Sequence, residues 1–193
     1  MKKVLFFTGA GISAESGIPT FSEQDGIRDK LIRSFALSHK EEYRETIKQM
    51  CDTVNKAKPN VAHKAIAKYG YPIITMNIDG LHQKAGSTNV LAIHGRLPEP
   101  HELYADNFNE LKEIPVLYDD EAPEYSNAID KVNELSEGDK FVIVGVSFYT
   151  MISEQLKYIA LCRGADVIIL NECATVEVPD VCERLNDDGF VGL

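Results

Sequence analysis

Short apolar runs recur along the chain, and each has the length and composition of a buried β-strand. The first run, Val4 to Phe7, contains only valine, leucine and phenylalanine and stops at Thr8-Gly9. Runs that are apolar at every position are typical of parallel strands that are covered on both faces. The pattern predicts strands over residues 4–7, 71–75, 89–93, 115–118, 141–146 and 165–170.

Between these runs, apolar residues recur at the three- and four-residue spacing of amphipathic helices. In residues 39–58, Tyr43, Ile47, Met50 and Val54 form one apolar face. The opposite face is charged, as expected for a solvated helix surface. The same spacing predicts helices over residues 25–35, 59–68, 81–85, 123–137 and 151–163, and near 181–185.

Strands that alternate with helices predict an α/β fold, namely a Rossmann-like parallel sheet with helices on both faces. Two consecutive predicted helices interrupt the alternation, which indicates a small helical module at about residues 22–58. Residues 97–114 show little periodicity and predict a loop or short helices. A length of 193 residues suits one domain with such insertions. We therefore predict a single domain over residues 1–193.

Charge and composition exclude several classes of function. A net charge of −10 argues against a general nucleic-acid binder, because phosphate backbones require a basic face. The first apolar run is too short for a signal peptide, and no other run is long enough to span a bilayer. We expect a cytoplasmic protein without a membrane partner. The four cysteines form no C-x-x-C pair, which predicts neither a metal site nor a disulfide framework.

Polar residues and glycines follow the predicted strands, at the sheet edge where α/β proteins bind ligands. Gly9-Ala10-Gly11 is a turn whose backbone N–H groups can approach a phosphate closely. As a motif it is weak, because it is not a complete G-x-G-x-x-G. Five strand ends of this kind together predict one convergent site. They are Gly9 to Gly11, Asn77 to Asp79, His94-Gly95, Gly145 to Ser147 and Asn171-Glu172.

His94 is the acid–base candidate at this edge, because an imidazole titrates near neutral pH. A lone histidine is more often a neutral structural residue, but the neighbouring polar strand ends favour the catalytic interpretation. Asn77 and Asp79 offer an amide and a carboxylate, which suit a carboxamide or ribose hydroxyls. The alternative for one of them is capping of the following turn. His63 and His82 lie beside apolar positions, which favours packing or surface roles.

Several segments together resemble the sirtuins, the NAD-dependent protein deacylases. They run in the family's order from Val4 to about Thr175, and the first and third are long enough to be highly specific. The segments are residues 9–21 (Gly-Ala-Gly-Ile-Ser-Ala-Glu-Ser-Gly-Ile-Pro-Thr-Phe), 59–63 (Pro-Asn-Val-Ala-His), 75–82 (Thr-Met-Asn-Ile-Asp-Gly-Leu-His), 94–95 (His-Gly), 145–147 (Gly-Val-Ser) and 169–171 (Ile-Leu-Asn).

The resemblance implies that NAD binds across the sheet and that an acylated lysine protein or peptide is the substrate. His94 would act as general base on a ribose hydroxyl, while Asn77 and Asp79 would line the nicotinamide pocket as further catalytic residues. The acyl oxygen would attack the ribose carbon as nicotinamide leaves, so that the acyl group ends on ADP-ribose. The implied cofactor-binding residues are Gly9, Ala10, Gly11, Ser13, Ser16, Phe21, Met76, Asn77, Ile78, Asp79, Gly145, Ser147, Asn171 and Glu172.

Other roles also come from the resemblance. Ala10 and Gly11 would lie near the phosphates, Ser147 would contact a phosphate or ribose, and Asn171 would hold the adenosine ribose. The resemblance also implies a segment that would pair by backbone with an extended substrate peptide. Its residues are Val116, Leu117 and Tyr118.

Two departures from the family fall in the cofactor site. Ser22 stands where an arginine usually follows Phe21, which removes a guanidinium that serine cannot replace. Arg28 is the residue expected to substitute for it in part. Met76 stands where glutamine is usual, and a thioether cannot donate a hydrogen bond.

Two further departures lie outside the cofactor site. The family's zinc-binding cysteines are absent, and only residues 97–114 occupy the place of the zinc module, which is structural in that family. Asp119-Asp120 replaces a segment that is usually glycine followed by glutamate. The added charges are expected to disfavour acidic peptides and to favour basic ones.

Three functions remain open at this point. The leading hypothesis is an enzyme that consumes NAD to remove acyl groups from lysine. The second is NAD hydrolysis or ADP-ribosyl transfer, and the third is a non-catalytic module that binds NAD or ADP-ribose. A plain dehydrogenase is disfavoured, because no acidic ribose-binding residue follows the glycines within one βαβ unit.

Overall fold

The centre of the molecule is a parallel sheet in which β1 pairs with β2 on one side and with β4 on the other. The computed structural model describes residues 1–171 and 173–193. The strand order is β3–β2–β1–β4–β5, and the short β6 pairs with the start of β1. The strands are β1 Lys3–Thr8, β2 Ile73–Thr75, β3 Val90–Ala92, β4 Lys140–Val144, β5 Asp166–Leu170 and β6 Val191–Gly192. The predicted Rossmann-like fold is confirmed.

Helices cover both faces of this sheet, as the continuous apolar strands predicted. Successive residues of β1 point to opposite faces: Phe6 packs in one core with α5 and α10, while Phe7 packs in the other with α8 and α9. The helices are α1 Gly11–Ala14, α2 Ile27–Lys30, α3 Arg33–Ser38, α4 Lys40–Lys56, α5 Val61–Tyr69, α6 Leu81–Lys84, α7 Pro100–Leu103, α8 Glu124–Asn133, α9 Met151–Cys162 and α10 Ala174–Asp187.

The strand order determines where at the edge of the sheet a ligand can bind. The chain passes from β1 to β2 and β3 on one side and then returns to β4 on the other side of β1, so the strand order reverses between β1 and β4. A crevice forms at such a reversal of strand order, outside the carboxyl ends of the strands. The residues that follow β1, β2, β3 and β4 are therefore brought to one place.

Two predicted elements are wrong in detail. The helix predicted over residues 25–35 is divided into α2 and α3, because the Leu31 carbonyl accepts a hydrogen bond from the Tyr118 N–H (2.9 Å). Residues 115–118 form no strand, since Val116 N–H bonds to the His94 carbonyl (3.0 Å) whereas Tyr118 bonds to Leu31. Two different partners prevent a regular ladder. The final helix, α10, is longer than the helix predicted near residues 181–185. The short strand β6 was not predicted from the sequence.

A third hydrophobic cluster lies beside the sheet. It joins the helical module predicted at about residues 22–58 to the segment predicted as a loop or short helices at residues 97–114. It unites α3 and α4 with residues 97–117, and the rings of Tyr43 and Phe108 stack at 5.5 Å between centroids. The division into modules stays a prediction. The cysteines are free, and residues 1–171 and 173–193 contain no cluster of metal-ligating side chains. Over the same residues, no helix has the length and apolarity needed to cross a membrane.

Candidate active site

A cavity of about 600 Å³ opens at the carboxyl ends of the strands. A smaller one of about 220 Å³ adjoins it and shares Ala10, Phe21, Asn77 and Ile78 with it. Ser13 and Asp79 line the smaller cavity. Of the residues predicted from the sequence, the larger cavity is lined by Ala10, Gly11, Phe21, Met76, Asn77, Ile78, His94, Val116, Leu117, Tyr118, Gly145, Ser147 and Asn171.

The glycine turn after β1 works differently from the expectation that it presents free N–H groups. Gly9 N–H donates to the Val144 carbonyl (3.0 Å) and Gly11 N–H to the Gly145 carbonyl (2.9 Å). A Cβ on Gly11 would lie 2.6 Å from Gly145 Cα, which no side chain tolerates. Close approach of the β1 and β4 loops therefore explains these glycines. Ala10 and Gly11 still line the cavity.

Asn77 and Asp79 meet Ser13 in a buried network. Asn77 Nδ2 donates to the Gly9 carbonyl (3.0 Å) and to Ser13 Oγ (3.2 Å), and Ser13 Oγ donates to Asp79 Oδ2 (2.7 Å). The other Asp79 oxygen accepts the Leu81 N–H (2.8 Å), so the capping alternative accounts for one carboxylate oxygen. Both hydrogens of the Asn77 amide are thus used, and among the described residues none donates to its Oδ1. That oxygen is a free acceptor for a ligand amide.

Two histidines lie buried beside this network, so neither has the surface role that the sequence left open as an alternative to packing. His63 Nδ1 donates to Asn60 Oδ1 (2.9 Å), and His82 Nε2 bonds to Thr8 Oγ1 (2.9 Å). The His63 and His82 rings lie 4.8 Å apart. Burial lowers the pKa of His63 to about 4, although the Asp79 charge opposes this shift, and it lowers the pKa of His82 to about 3. Both imidazoles are neutral at pH 7.

His94 is held in one tautomer with its second nitrogen toward the cavity. Its Nδ1 is 3.2 Å from the Met76 carbonyl, which can only accept, so Nδ1 carries the proton. Nε2 is then the basic nitrogen, and it accepts the hydroxyl of Tyr125 at 2.9 Å. Burial lowers the pKa of His94, although the bond to Met76 opposes this shift. A neutral imidazole with this orientation is suited to general-base chemistry.

Of the remaining predicted cofactor residues, some line the larger cavity and others do not. Asn171 bridges the ends of β5 and β4, since its amide accepts the Val146 N–H (3.1 Å) and donates to the Val146 carbonyl (3.0 Å). Ser147 is exposed at the cavity. Ser16 bonds to Asn60 Nδ2 (3.1 Å), and within the described residues it lines neither cavity. The predicted role of Glu172 lies outside the described residues.

Arg28 brings a positive charge to the larger cavity, which Ser22 also lines without a charge. Arg28 stacks on the Tyr149 ring, with Cζ 4.2 Å from the centroid. Its Nε is buried and meets no hydrogen-bond acceptor among the described residues. Within that part of the chain it is also the only lysine or arginine that lines the cavity. A buried donor on a cation without a partner fits an anionic ligand such as a dinucleotide phosphate.

The acidic pair beside the predicted substrate segment makes contacts inside the protein, and the expected preference for basic peptides stays a prediction. Arg33 forms a fork with Asp120, at 3.1 Å from Nε and 2.6 Å from Nη2. Asp119 accepts the backbone N–H groups of Arg33 and Ser34, at the start of α3. Asp120 is therefore neutralised, and Asp119 caps a helix.

Sequence reasoning missed Tyr125 and Tyr149. Tyr125 lies in the first turn of α8, 31 positions from His94, and Tyr149 lies in the loop before α9. Neither position belongs to the segments that carried the resemblance. A polar residue that directly follows a predicted strand could be predicted as a site residue. A tyrosine on a helix, such as Tyr125, carries no such signal in the sequence.

The fold and the site define an α/β protein that binds a dinucleotide at the carboxyl edge of a parallel sheet. The model of the Sir2 family matches residues 9–113. An NAD-dependent protein deacylase 2 of Archaeoglobus fulgidus is 35% identical over 92% of this chain and 83% of its own length. An NAD-dependent protein deacylase of Aquifex aeolicus is 32% identical over 87% and 82%. The chain belongs to the Sir2 family, which confirms the resemblance.

Solved structures agree with this assignment. The crystal structure of a Sir2 homologue in complex with NAD has a TM-score of 0.83 at 25% identity, covering 97% of this chain and 90% of the other. The structure of Sir2 with the inhibitor EX-527, 2'-O-acetyl-ADP-ribose and a deacetylated p53 peptide has a TM-score of 0.76 at 26% identity, covering 97% and 94%.

Proposed function

We propose that this chain is an NAD-dependent protein lysine deacylase. The observation that carries the proposal is the placement of a neutral, oriented His94 and Asn77 in the larger cavity, with Asp79 in the smaller cavity that adjoins it at Asn77. When bound, NAD supplies an ADP-ribosyl group, which accepts the acyl group of lysine as nicotinamide is released. The cytoplasmic location expected from the sequence is part of this proposal.

His94 supplies the proton acceptor. Its Nε2 lone pair faces the cavity because Nδ1–H is held by the Met76 carbonyl. A ribose hydroxyl at hydrogen-bond distance from Nε2 would lose its proton to this nitrogen as the acyl oxygen is transferred. Burial lowers the pKa of His94, so the imidazole is neutral near pH 7 and Nε2 carries no proton of its own.

Asn77 and Asp79 form the nicotinamide side of the site. Ser13 and Asp79 line the smaller cavity, and Asn77 lies between both cavities. The free Oδ1 of Asn77 can accept a carboxamide N–H, and the network through Ser13 fixes the orientation of the amide. A preorganised pocket of this kind would hold the leaving group while the reacting carbon is attacked.

Two further contacts complete the proposed site. Arg28 would bind the dinucleotide phosphates, in place of the arginine expected at Ser22. The segment Val116 to Tyr118 lines the same cavity and would receive the extended peptide. These groups explain how the base, the phosphates and the acylated lysine meet in one cavity.

The test is nicotinamide release from NAD with and without acyl-lysine peptides of several chain lengths. His94→Ala runs beside the unchanged protein, and Arg184→Ala, on exposed α10 surface, serves as the control variant. We expect release that requires both the peptide and His94. Release without peptide would replace the proposal by NAD hydrolysis or ADP-ribosyl transfer, and binding without release would replace it by a binding module.

A further inference from the structure

Tyr125 occupies the basic nitrogen of the proposed catalytic histidine. Its hydroxyl lies 2.9 Å from His94 Nε2, and the two rings are 5.8 Å apart at an interplanar angle of 53°. Because His94 Nδ1–H donates to the Met76 carbonyl, Nε2 has a single lone pair and no proton. The tyrosine hydroxyl is therefore the donor, and it uses the lone pair that a general base needs.

One lone pair cannot accept two in-plane hydrogen bonds of full strength. A ribose hydroxyl that gives its proton to His94 must reach within about 3.2 Å of Nε2, where the Tyr125 hydroxyl now stands. The ribose must consequently displace the tyrosine. The free protein and the loaded protein thus differ in the partner of the same nitrogen.

Tyr125 is placed where the substrate side chain arrives. It lies at the start of α8, is half-buried, and lines the larger cavity together with Val116, Leu117 and Tyr118. Its ring also packs at the edge of the core formed with α8 and α9. An acylated lysine entering along Val116 to Tyr118 therefore meets the tyrosine beside the histidine.

We propose that Tyr125 is a positioning residue that caps His94 Nε2 in the free protein and releases it when cofactor ribose and acyl-lysine fill the cavity. The proposal rests on the proposed function, since it assigns the resting partner of the same base. Binding of either ligand supplies part of the free energy needed to displace Tyr125 from His94, so each ligand should strengthen the binding of the other. The cap thereby weakens the binding of cofactor ribose alone, and a bound peptide reduces this effect.

The first test is the affinity of ADP-ribose, which reports binding without turnover. Tyr125→Phe keeps the packed ring and removes the competing hydroxyl, so we expect ADP-ribose to bind about two- to tenfold more tightly. Acyl-lysine peptide should tighten ADP-ribose binding in the unchanged protein and have less effect in the variant. Tyr104→Phe, whose ring is exposed and lines neither cavity among the described residues, is the matched control.

The second test follows the tyrosine itself. The sequence has no tryptophan, so tyrosine fluorescence can be read directly. Release of Tyr125 from an imidazole acceptor should change this fluorescence when ADP-ribose binds, and the change should be smaller in Tyr125→Phe, where only the other cavity tyrosines, Tyr118 and Tyr149, can respond. Unchanged or weaker ADP-ribose binding in Tyr125→Phe would overturn the inference. ADP-ribose binding that tightens as expected, in a protein that removes no acyl group, would reject the proposed function and leave the Tyr125 contact standing.

Discussion

At the scale of residues, the surroundings of Arg28 are best explained by a bound ligand. Its Nε is buried without an acceptor among the described residues, and its guanidinium stacks on the Tyr149 ring. A buried donor on a charged group carries a desolvation cost that a hydrogen bond usually offsets. A phosphate would offset that cost and would also supply the opposite charge.

We therefore predict that Arg28→Ala weakens ADP-ribose binding about ten- to a hundredfold, the usual value of a charge-assisted hydrogen bond. Arg28→Lys should recover part of the loss, because lysine keeps the charge but not the planar fork. Titration calorimetry measures both, with Arg184→Ala as the control. Equal affinity in all of these proteins would mean that Arg28 takes no part in binding.

The residues of the site were predictable to the extent that they directly follow apolar strands. His94 and Asn77 are fixed by the ends of β3 and β2, and those strands are visible as apolar runs. Tyr125 and the roles of Gly9 and Gly11 were not predictable, because they depend on contacts between loops that are far apart in sequence. A sequence pattern reports which residues share an edge, and not which atoms are already bonded there.

At the scale of elements, Arg33 links α3 to residues 109–120. Its guanidinium donates to the carbonyls of Asn109 (2.7 Å) and Leu111 (2.9 Å) as well as to Asp120. The side chains of Arg33 and Asp120 are only 15% and 5% exposed. The Asp120 carboxylate raises the pKa of Arg33, which therefore stays charged. This cross-link holds residues 109–120 where a metal module is absent from the sequence.

Removing one partner of this link should be costly. We predict that Arg33→Met lowers the free energy of unfolding by about 3–5 kcal/mol, because Asp120 and two carbonyls are left without their donor. The exposed pair of Lys30 and Glu42 (39% and 52% exposed) is the matched control, and Lys30→Met should cost less than about 1 kcal/mol.

Urea unfolding measures both of these variants. Adding Asp120→Leu to Arg33→Met should recover stability, because no unpaired charge then remains. If Arg33→Met and Lys30→Met lose the same small amount, the link contributes no more than an ordinary surface pair.

The elements beside the sheet were harder to predict than the sheet itself. Residues 25–35 have helical spacing, yet the Leu31 carbonyl bonds to Tyr118, and this tertiary contact divides the helix. Residues 115–118 have strand composition, but their N–H groups bond to two separate elements. Local propensity is a weak prior, and here distant hydrogen bonds override it.

For the whole molecule, the buried histidines behind the site couple stability to pH. The pKa values of His63 and His82, about 4 and about 3, lie below the ordinary value of 6.5. Below pH 6.5 the unfolded chain therefore binds more protons than the folded chain. Stability is complete above pH 6.5 and falls as the pH drops toward the folded pKa values.

We predict that the free energy of unfolding falls by about 2 kcal/mol per histidine between pH 7 and pH 5. His82→Gln should remove about half of this acid-dependent loss, since glutamine can still donate to Thr8 but does not titrate. Urea unfolding at the two pH values gives the comparison within each protein. A loss in His82→Gln as large as in the unchanged protein would assign the pH dependence to other groups.

The architecture of the whole molecule followed from the sequence because most strands of the parallel sheet contain a continuous apolar run. The strand order and the short β6 did not follow, since pairing in register is decided by contacts across the sheet. The packing of residues 97–117 was not predictable either, because their few apolar residues find partners in residues 21–51, which are distant in sequence.

The most direct test of the central claim is the mass of the products formed from NAD and an acyl-lysine peptide. If the chain is a deacylase of the proposed kind, the peptide loses the acyl mass and ADP-ribose gains the same mass, in amounts equal to the nicotinamide released. His94→Ala should abolish this transfer. Free ADP-ribose formed while the peptide keeps its acyl group would contradict the account.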